Sequence, residues 1–147
     1  MDRLPDVARD PEPVRLAPVL LPGGLGDHKW LDRRLLDELA HRFGAVALLV
    51  DLDGEVLEAA HANVWIREGS TLVTPPLDGR LLPGTVRARL LTHPPPGLTA
   101  CEEPVPLERA ATADELLLSS SLRGLHPAVL AGTRAGRAQP PLVSAVR

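Results

Sequence analysis

The chain has 147 residues, of which 44% are apolar and 24% charged, and these proportions are typical of one globular domain. A formal charge of −3, arginines dispersed among acids and an aromatic content of 2% argue against a nucleic-acid backbone as partner. Cys101 is the single cysteine, which excludes a disulfide framework and paired-cysteine metal sites. The start has no signal-peptide pattern and no apolar run reaches membrane length, so we expect a cytoplasmic protein without a membrane partner.

Residues 1–22 predict an extended arm or linker, because five prolines stand among charged residues. Residues 14–21 can supply one short strand at the end of this arm. Leucines at helical spacing then predict an amphipathic helix over residues 31–43, with Gly44 at its C-terminal end.

Two hairpins are predicted in the middle of the chain. The first joins an apolar strand at residues 45–51 to a strand at 55–58 through an Asp-Gly turn. The second joins residues 63–67 to residues 71–74 through a Glu-Gly-Ser turn.

The C-terminal half predicts a helix over residues 83–91 that begins at a glycine. It also predicts strands at 98–106, 115–119 and 129–131 and a helical turn at 107–113. The sum is a mixed α/β sheet rich in hairpins. The globular domain is predicted to span residues 23–135, followed by a weakly specified tail at 136–147.

Lys29 is the only lysine, beside fifteen arginines. A guanidinium stays protonated and forms no Schiff base, so a sole lysine is a candidate for covalent chemistry with a carbonyl group. Biased composition that left one lysine by chance is the alternative. The preceding glycines do not form a phosphate-binding P-loop, because His28 precedes the lysine and Trp30 replaces the magnesium-binding hydroxyl. The five histidines lack the spacing of metal ligands, so no metal site is predicted.

Two clusters are candidates for anion binding. A helix that begins at Gly84 directs the free N–H groups of its first turn, with the Thr85 hydroxyl, at a negative group. Glycines also begin helices for structural reasons alone. Ser120 and Ser121 place small donors at the end of a strand, where an ordinary polar loop is the alternative.

Glu58 and Asn63 flank a run of small residues directly after a hairpin strand. A carboxylate beside small side chains leaves room for a planar group to lie against the backbone. A solvated glutamate at a strand end is the alternative.

Six ordered blocks of sequence resemble the class IV aminotransferase family, the fold-type IV pyridoxal-phosphate enzymes. This family includes branched-chain aminotransferases, D-amino-acid aminotransferases and 4-amino-4-deoxychorismate lyases. The blocks are Lys29-Trp30-Leu31-Asp32-Arg33, the hairpin at 47–58, Ala62-Asn63-Val64-Trp65, Thr74-Pro75-Pro76-Leu77, the stretch 81–87, and Ala113-Asp114-Glu115-Leu116 with Ser120-Ser121-Leu122-Arg123-Gly124-Leu125.

The resemblance implies the C-terminal domain of the fold-type IV enzymes, a barrel-like, hairpin-rich sheet with flanking helices, and pyridoxal 5'-phosphate as cofactor. Lys29 would bind the cofactor covalently and later move the proton at the reacting carbon. Glu58 would pair with the pyridine nitrogen and keep it protonated. The other implied contacts to cofactor or substrate are Asn63, Gly84, Thr85, Val86, Ser120 and Ser121.

Within the family, the sequence is more similar to 4-amino-4-deoxychorismate lyase, an enzyme of folate biosynthesis. Branched-chain enzymes have a tyrosine five residues after the lysine, where this chain has Arg34, and the runs at 29–33 and 120–124 look like the lyase. The implied reaction uses Lys29 as base, eliminates pyruvate and leaves 4-aminobenzoate. The alternatives are a class IV aminotransferase acting on amino acids, or a truncated, non-catalytic cofactor-binding or scaffold module.

Members of the family have an N-terminal domain of comparable size before the lysine, whereas 28 residues precede Lys29 here. The resemblance therefore covers the lysine-bearing C-terminal domain, and we expect the N-terminal domain to be missing. We expect the site to be completed by another polypeptide or by a homodimer partner. The alternatives are that the chain is a piece of a longer synthase–lyase fusion, or a relic that keeps the fold without turnover.

Overall fold

The computed structural model describes residues 12–24, 37–38, 40–42 and 44–131. Within these residues there are eight strands and two helices with defined bounds. The strands are β1 (Val14–Leu20), β2 (Val46–Val50), β3 (Val56–Ala59), β4 (Ala62–Glu68), β5 (Thr71–Thr74), β6 (Thr99–Glu102), β7 (Glu115–Ser120) and β8 (Gly124–Leu130), and the helices are α1 (Thr85–Thr92) and α2 (Leu107–Thr112).

Six of the strands close into a barrel. Their order is β1-β2-β3-β4-β7-β8, and the ring closes because β3 pairs with β4 and β8 pairs in parallel with β1. The strands β5 and β6 extend the sheet from the C-terminal half of β4. The predicted fold class, a mixed α/β fold with a barrel-like sheet and flanking helices, is therefore confirmed.

The sheet is buried on both faces, which explains the continuous apolar runs in its strands. The barrel interior is filled by aliphatic side chains, among them Leu16, Leu48, Val50, Val56, Val64, Ile66, Leu116, Leu118, Ala128 and Leu130. On the outer face, Leu90 of α1 packs against Trp65, Leu117 and Leu125. Helix α1 thus lies against the outside of β4, β7 and β8.

The stretch from Val14 to Leu20, at the end of the predicted arm, is a barrel strand, which confirms the short strand predicted at residues 14–21. β1 lies between β2 and β8 and is parallel to both. Pro18 is tolerated because β8 pairs with β1 only as far as Leu16, so among the described residues no strand pairs with that side of β1 at Pro18. Residues 1–11 and the predicted tail at 136–147 lie outside the described residues.

The local predictions are confirmed where turn chemistry is specific. Gly54 has a φ of 85° in the β2–β3 turn, as the Asp-Gly turn requires. Residues 37–38 and 40–42 are helical, in agreement with the helix predicted at 31–43, whose remaining residues lie outside the described part. Among the described residues, no helix has the length and apolar character needed to cross a bilayer.

Two strand predictions need correction. The strand predicted at 98–106 is shorter and covers Thr99–Glu102. The strand predicted at 129–131 begins much earlier, at Gly124, and its residues from Gly124 to Ala128 pair with β7. Pro127 lacks the N–H that a strand normally donates, but the burial of side chains such as those of Ala128 and Leu130 in the barrel interior outweighs this loss.

Candidate active site

A β-bulge directs Glu58 to the outer face of the barrel. Val56 and Ala59 both face the interior although they are three residues apart, because the register with β2 shifts between Leu49 and Val50. The extra residue in β3 places Leu57 in a separate cluster outside the interior core, and Glu58 is opposite Leu49 of that cluster. Bulges commonly redirect a side chain beside a functional site, and here the bulge keeps a carboxylate out of the barrel core.

Glu58 is buried with one oxygen unpartnered. Its side chain is 3% exposed, and Oε1 accepts a hydrogen bond from the Leu82 N–H at 3.3 Å. Its other oxygen, Oε2, is buried and has no hydrogen-bond partner among the described residues. Burial raises the pKa of Glu58 to about 7, and the Leu82 N–H offsets only part of this effect. A buried acceptor of this kind is a place where a ligand donor can bind.

Asn63 stands beside Glu58 on the neighbouring strand. The two residues are direct partners in the β3–β4 ladder, and Asn63 is in turn opposite Ser119 of β7. The Asn63 side-chain nitrogen donates to the Leu82 carbonyl at 2.9 Å. Ser119 is also buried, and its Oγ accepts a hydrogen bond from the Trp65 indole N–H at 3.0 Å. The result is a row of polar groups on the outer face of the sheet.

An arginine fixes the segment that leads to α1. The Arg80 guanidinium contacts Asp51 at 2.8 Å and Glu55 at 2.8 Å in the β2–β3 turn, and Asp78 at 2.8 Å in its own loop. The next residue, Leu81, is buried against Leu57 and its neighbours. This anchoring determines where Leu82 meets Glu58 and Asn63.

The turn before α1 depends on a glycine. Gly84 is the N-cap residue of α1, and a Cβ at this position would overlap the Asn63 side-chain oxygen. The helix therefore begins directly above the polar row, with the N–H groups of Thr85 and Val86 at its N-terminal end. Free N–H groups at a helix N-terminus bind anions.

Thr85, Val86 and Ser121 line one open depression of about 480 Å³. Arg89 and His93 line it too, and no described residue forms an ion pair with Arg89. The fixed charge that borders this depression is therefore the Arg89 guanidinium, which favours an anionic occupant.

The predicted site residues thus fall into three groups. Glu58 and Asn63 lie together beneath Leu82, and Gly84 joins them to Thr85, Val86 and Ser121. Ser120 lies at the end of β7, where its hydroxyl accepts the Arg123 N–H at 3.2 Å. Lys29 lies outside the described residues.

Sequence reasoning missed three participants. Leu82 contributes only its backbone, and Ser119 was predicted only as the last residue of a strand. Arg89 carried no signal beyond its position, one helical turn after Thr85. Strand register and loop anchoring reveal these residues, and neither can be read from local sequence.

The described residues fit pyridoxal phosphate. The cofactor has a ring nitrogen that can be protonated and a phosphate. The unpartnered Oε2 of Glu58 fits the nitrogen, and the N-terminal end of α1 beside Gly84 fits the phosphate. Together they give the outer face of this barrel a buried carboxylate acceptor and a helix N-terminus, linked through Leu82 and Gly84.

Comparison with known proteins shows which family the chain belongs to. The sequence model of the amino-transferase class IV family matches residues 29–130. The chain therefore belongs to the class IV aminotransferase family, and the predicted resemblance is confirmed.

Individual relatives include both aminotransferases and lyases. A probable branched-chain-amino-acid aminotransferase from Synechocystis sp. is 30% identical over 82 residues, which are 55% of this chain and 27% of that protein. The solved 4-amino-4-deoxychorismate lyase from Pseudomonas aeruginosa is 28% identical with a TM-score of 0.62, and the match covers 81% of this chain and 48% of the lyase.

A hypothetical aminotransferase from Mycobacterium tuberculosis, solved in its PLP-bound form, is 22% identical with a TM-score of 0.72 over 90% of this chain and 52% of that one. This likeness shows the shared fold. The chain spans about half the length of these solved structures.

Proposed function

We propose that this chain is the cofactor-binding domain of a pyridoxal-phosphate-dependent enzyme. The observation that carries the proposal is the buried, unpartnered Oε2 of Glu58, which the bulge in β3 turns outward beside the start of α1. A buried carboxylate oxygen without a hydrogen-bond partner destabilises the folded chain, and a module with a purely structural role would gain nothing from it. A ligand donor at this position would remove the cost.

Each described residue would have a separate task in holding the cofactor. Glu58 would accept a hydrogen bond from the ring nitrogen and keep it protonated. The N–H groups at the start of α1, with the Thr85 hydroxyl, would hold the phosphate. Ser120 and Ser121 would lie near the phosphate or the substrate carboxylate. When bound, the cofactor supplies an electron sink that stabilises negative charge at the reacting carbon.

Lys29 would hold the cofactor covalently and move the proton at the reacting carbon. Gly24 is the last described residue before it, and a Cβ there would overlap the Arg80 carbonyl and Leu57, so the backbone passes close to the bulge next to Glu58. Five residues further along, Lys29 can be at most about 18 Å from Gly24. The length of the chain therefore allows the lysine to reach the site.

Cofactor binding gives the first test. With added pyridoxal phosphate, the purified chain should show a visible absorption band, and borohydride should then fix the cofactor to Lys29, as peptide mass spectrometry would locate. Lys29→Ala should lose both signals, because guanidinium groups cannot replace the amine. A band that persists unchanged in Lys29→Ala would contradict the assigned anchor.

We propose further that the reaction is the lyase reaction, which releases pyruvate from 4-amino-4-deoxychorismate and leaves 4-aminobenzoate. Arg34 stands where branched-chain enzymes have a tyrosine, and a depression bordered by Arg89 and His93 suits a substrate with carboxylates. The second candidate is amino transfer, which the 30% identity to a branched-chain-amino-acid aminotransferase favours.

One assay distinguishes these two reactions. The chain is incubated with 4-amino-4-deoxychorismate, and separately with a branched-chain amino acid and 2-oxoglutarate. Pyruvate and 4-aminobenzoate formed in equal amounts are the expected result, because elimination releases one of each. Glutamate formation without pyruvate would establish the aminotransferase instead.

We propose that a second polypeptide completes the substrate side of the site. The chain spans about half the length of the solved relatives. The family resemblance implies an N-terminal domain before the lysine, which would supply one wall of the active site. Specific activity in the same assay should then rise with protein concentration if a second copy completes the site. It should rise on adding a separate N-terminal domain if another chain does so. Activity independent of both would contradict this proposal.

A further inference from the structure

We infer that Asn63 is a positioning residue that sets the start of α1 against Glu58 and so couples the two ends of the cofactor site. The family resemblance implies that Asn63 contacts the cofactor, and in the structure the Asn63 amide nitrogen donates to the Leu82 carbonyl. This inference rests on the proposed function. It gives Asn63 an indirect effect on the cofactor, through the backbone of Leu82 and Gly84.

Leu82 is held from both sides by two neighbouring side chains. Its N–H donates to Glu58 Oε1 at 3.3 Å, and its carbonyl accepts from the Asn63 side-chain nitrogen at 2.9 Å. Glu58 and Asn63 are themselves opposite each other in the β3–β4 ladder. The backbone at Leu82 is therefore fixed relative to the sheet at both of its polar groups.

The same carbonyl determines the start of the helix. The Gly84 N–H also donates to the Leu82 carbonyl, at 3.1 Å, and the Gly84 carbonyl accepts the first helical hydrogen bond, from the Ala88 N–H at 3.1 Å. The missing Cβ of Gly84 leaves the space that the Asn63 oxygen occupies. Asn63 thus contacts the turn at Leu82 and again at Gly84.

Asn63 therefore acts on the phosphate end of the site more than on the ring end. If its amide is removed, Leu82 keeps its bond to Glu58, but the turn to Gly84 loses the donor that fixes it to β4. The N–H groups of Thr85 and Val86 then lose their fixed direction. Hydrogen bonds to a charged group weaken quickly as their geometry is lost.

The test compares pyridoxal phosphate with pyridoxal, which lacks the phosphate. Dissociation constants of both compounds are measured by absorbance titration for the wild-type chain and for Asn63→Ala. The ratio of the pyridoxal constant to the pyridoxal-phosphate constant reports the contribution of the phosphate. We expect this ratio to fall about tenfold in Asn63→Ala, the loss of roughly one hydrogen bond to a charged group, while the pyridoxal constant changes less than about threefold.

Two further variants separate positioning from folding. Gly84→Ala should also lower the ratio of the pyridoxal constant to the pyridoxal-phosphate constant, because the alanine Cβ displaces the Asn63 oxygen. If Asn63→Ala fails to fold, Gly84→Ala provides the test of the inference. Thr112→Ala is the control: Thr112 ends the other helix, α2, and its hydroxyl donates to the carbonyls of Glu108 and Arg109 in that helix. It should leave the ratio unchanged.

The possible failures can be distinguished. A wild-type chain that binds neither compound, or binds both equally, would overturn the proposed function and this inference with it. The inference alone would be overturned if the wild-type chain binds pyridoxal phosphate more tightly than pyridoxal and Asn63→Ala keeps the same ratio of dissociation constants. This includes the case in which Asn63→Ala binds both compounds more weakly by the same factor.

Discussion

Glu58→Gln should make the cofactor-free chain more stable at pH 8 and leave its stability near that of the wild type at pH 4. In the folded chain, burial raises the pKa of Glu58 from an ordinary value of 4.5 to about 7. The folded state therefore binds this proton more tightly than the unfolded state. Stability is lost as the pH rises from about 4.5 to about 7, and above that range the cost is constant.

The size of the effect follows from the pKa shift. A shift of this size corresponds to about 3 kcal/mol, and residual structure in the unfolded chain reduces it to roughly 2 kcal/mol. Glutamine keeps an oxygen for the Leu82 N–H and has no charge to bury. Urea unfolding at intervals between pH 4 and pH 8 measures the difference between variant and wild type.

The control is Glu108→Gln, which removes an exposed carboxylate from α2. Its stability difference from the wild type should stay flat over this pH range. A difference for Glu58→Gln that is also flat would show that the carboxylate is not desolvated in solution.

Bound cofactor should reverse the order of stability of the wild-type chain and Glu58→Gln. A glutamine in place of the Glu58 carboxylate cannot form a charge-assisted hydrogen bond to a protonated ring nitrogen, and such bonds contribute about 1.5–3 kcal/mol. We therefore expect Glu58→Gln to bind pyridoxal phosphate more weakly by roughly 10- to 100-fold. The same substitution would stabilise the free chain and weaken the complex, as expected for a group retained for its ligand.

Local sequence predicted those parts of the fold that local chemistry determines. The Asp-Gly turn and its flanking apolar strands gave the β2–β3 hairpin, and the glycine at position 84 gave the start of α1. These features depend on backbone conformations that few residues adopt. They needed no knowledge of distant partners.

Non-local pairing was harder to predict. β1 lies in a proline-rich stretch and is held by parallel neighbours that begin about thirty and more than one hundred residues further along the chain. β8 contains Pro127, which locally disfavours a strand, yet its pairing with β7 and its buried side chains determine the structure. Contacts between distant segments override propensity in both cases.

The candidate site also combines features that the sequence reveals with features that depend on strand pairing. Family resemblance selected Glu58, Asn63 and Gly84, but it did not show how they act together. The bulge that turns Glu58 outward, and the two bonds that hold Leu82, depend on strand register. A one-residue change in register would direct Glu58 into the barrel interior.

A second large effect is expected at Arg87, the buried arginine of α1. Its side chain is 2% exposed, donates to the Pro75 carbonyl at 2.8 Å and pairs with Glu102 of β6. These contacts join α1 to the end of β5 and to β6. Arg87→Ala removes them, leaves the Pro75 carbonyl without this donor and opens a cavity.

We expect Arg87→Ala to lower the free energy of unfolding by about 3 kcal/mol, because a buried, paired cation is removed together with its packing. In a chain of this size, the melting temperature should fall by roughly 6–12 °C. Thermal and urea unfolding measure both quantities. Arg89→Ala is the matched control on the same helix, since Arg89 is exposed and has no ion pair among the described residues, and it should change stability by less than about 0.5 kcal/mol.

Arg87→Met separates the polar contacts from the packing, because methionine can fill the space of the arginine stem. The Nε atom of Arg87 is buried and has no hydrogen-bond partner in the described part of the chain, so the arginine already carries an unfavourable contribution that methionine removes. Arg87→Met should therefore be less destabilising than Arg87→Ala, with a loss of roughly 1–2 kcal/mol from the bonds to Pro75 and Glu102. A methionine variant as stable as the wild type would show that only packing holds this end of α1, and that the pair with Glu102 contributes nothing to fixing the helix above the sheet.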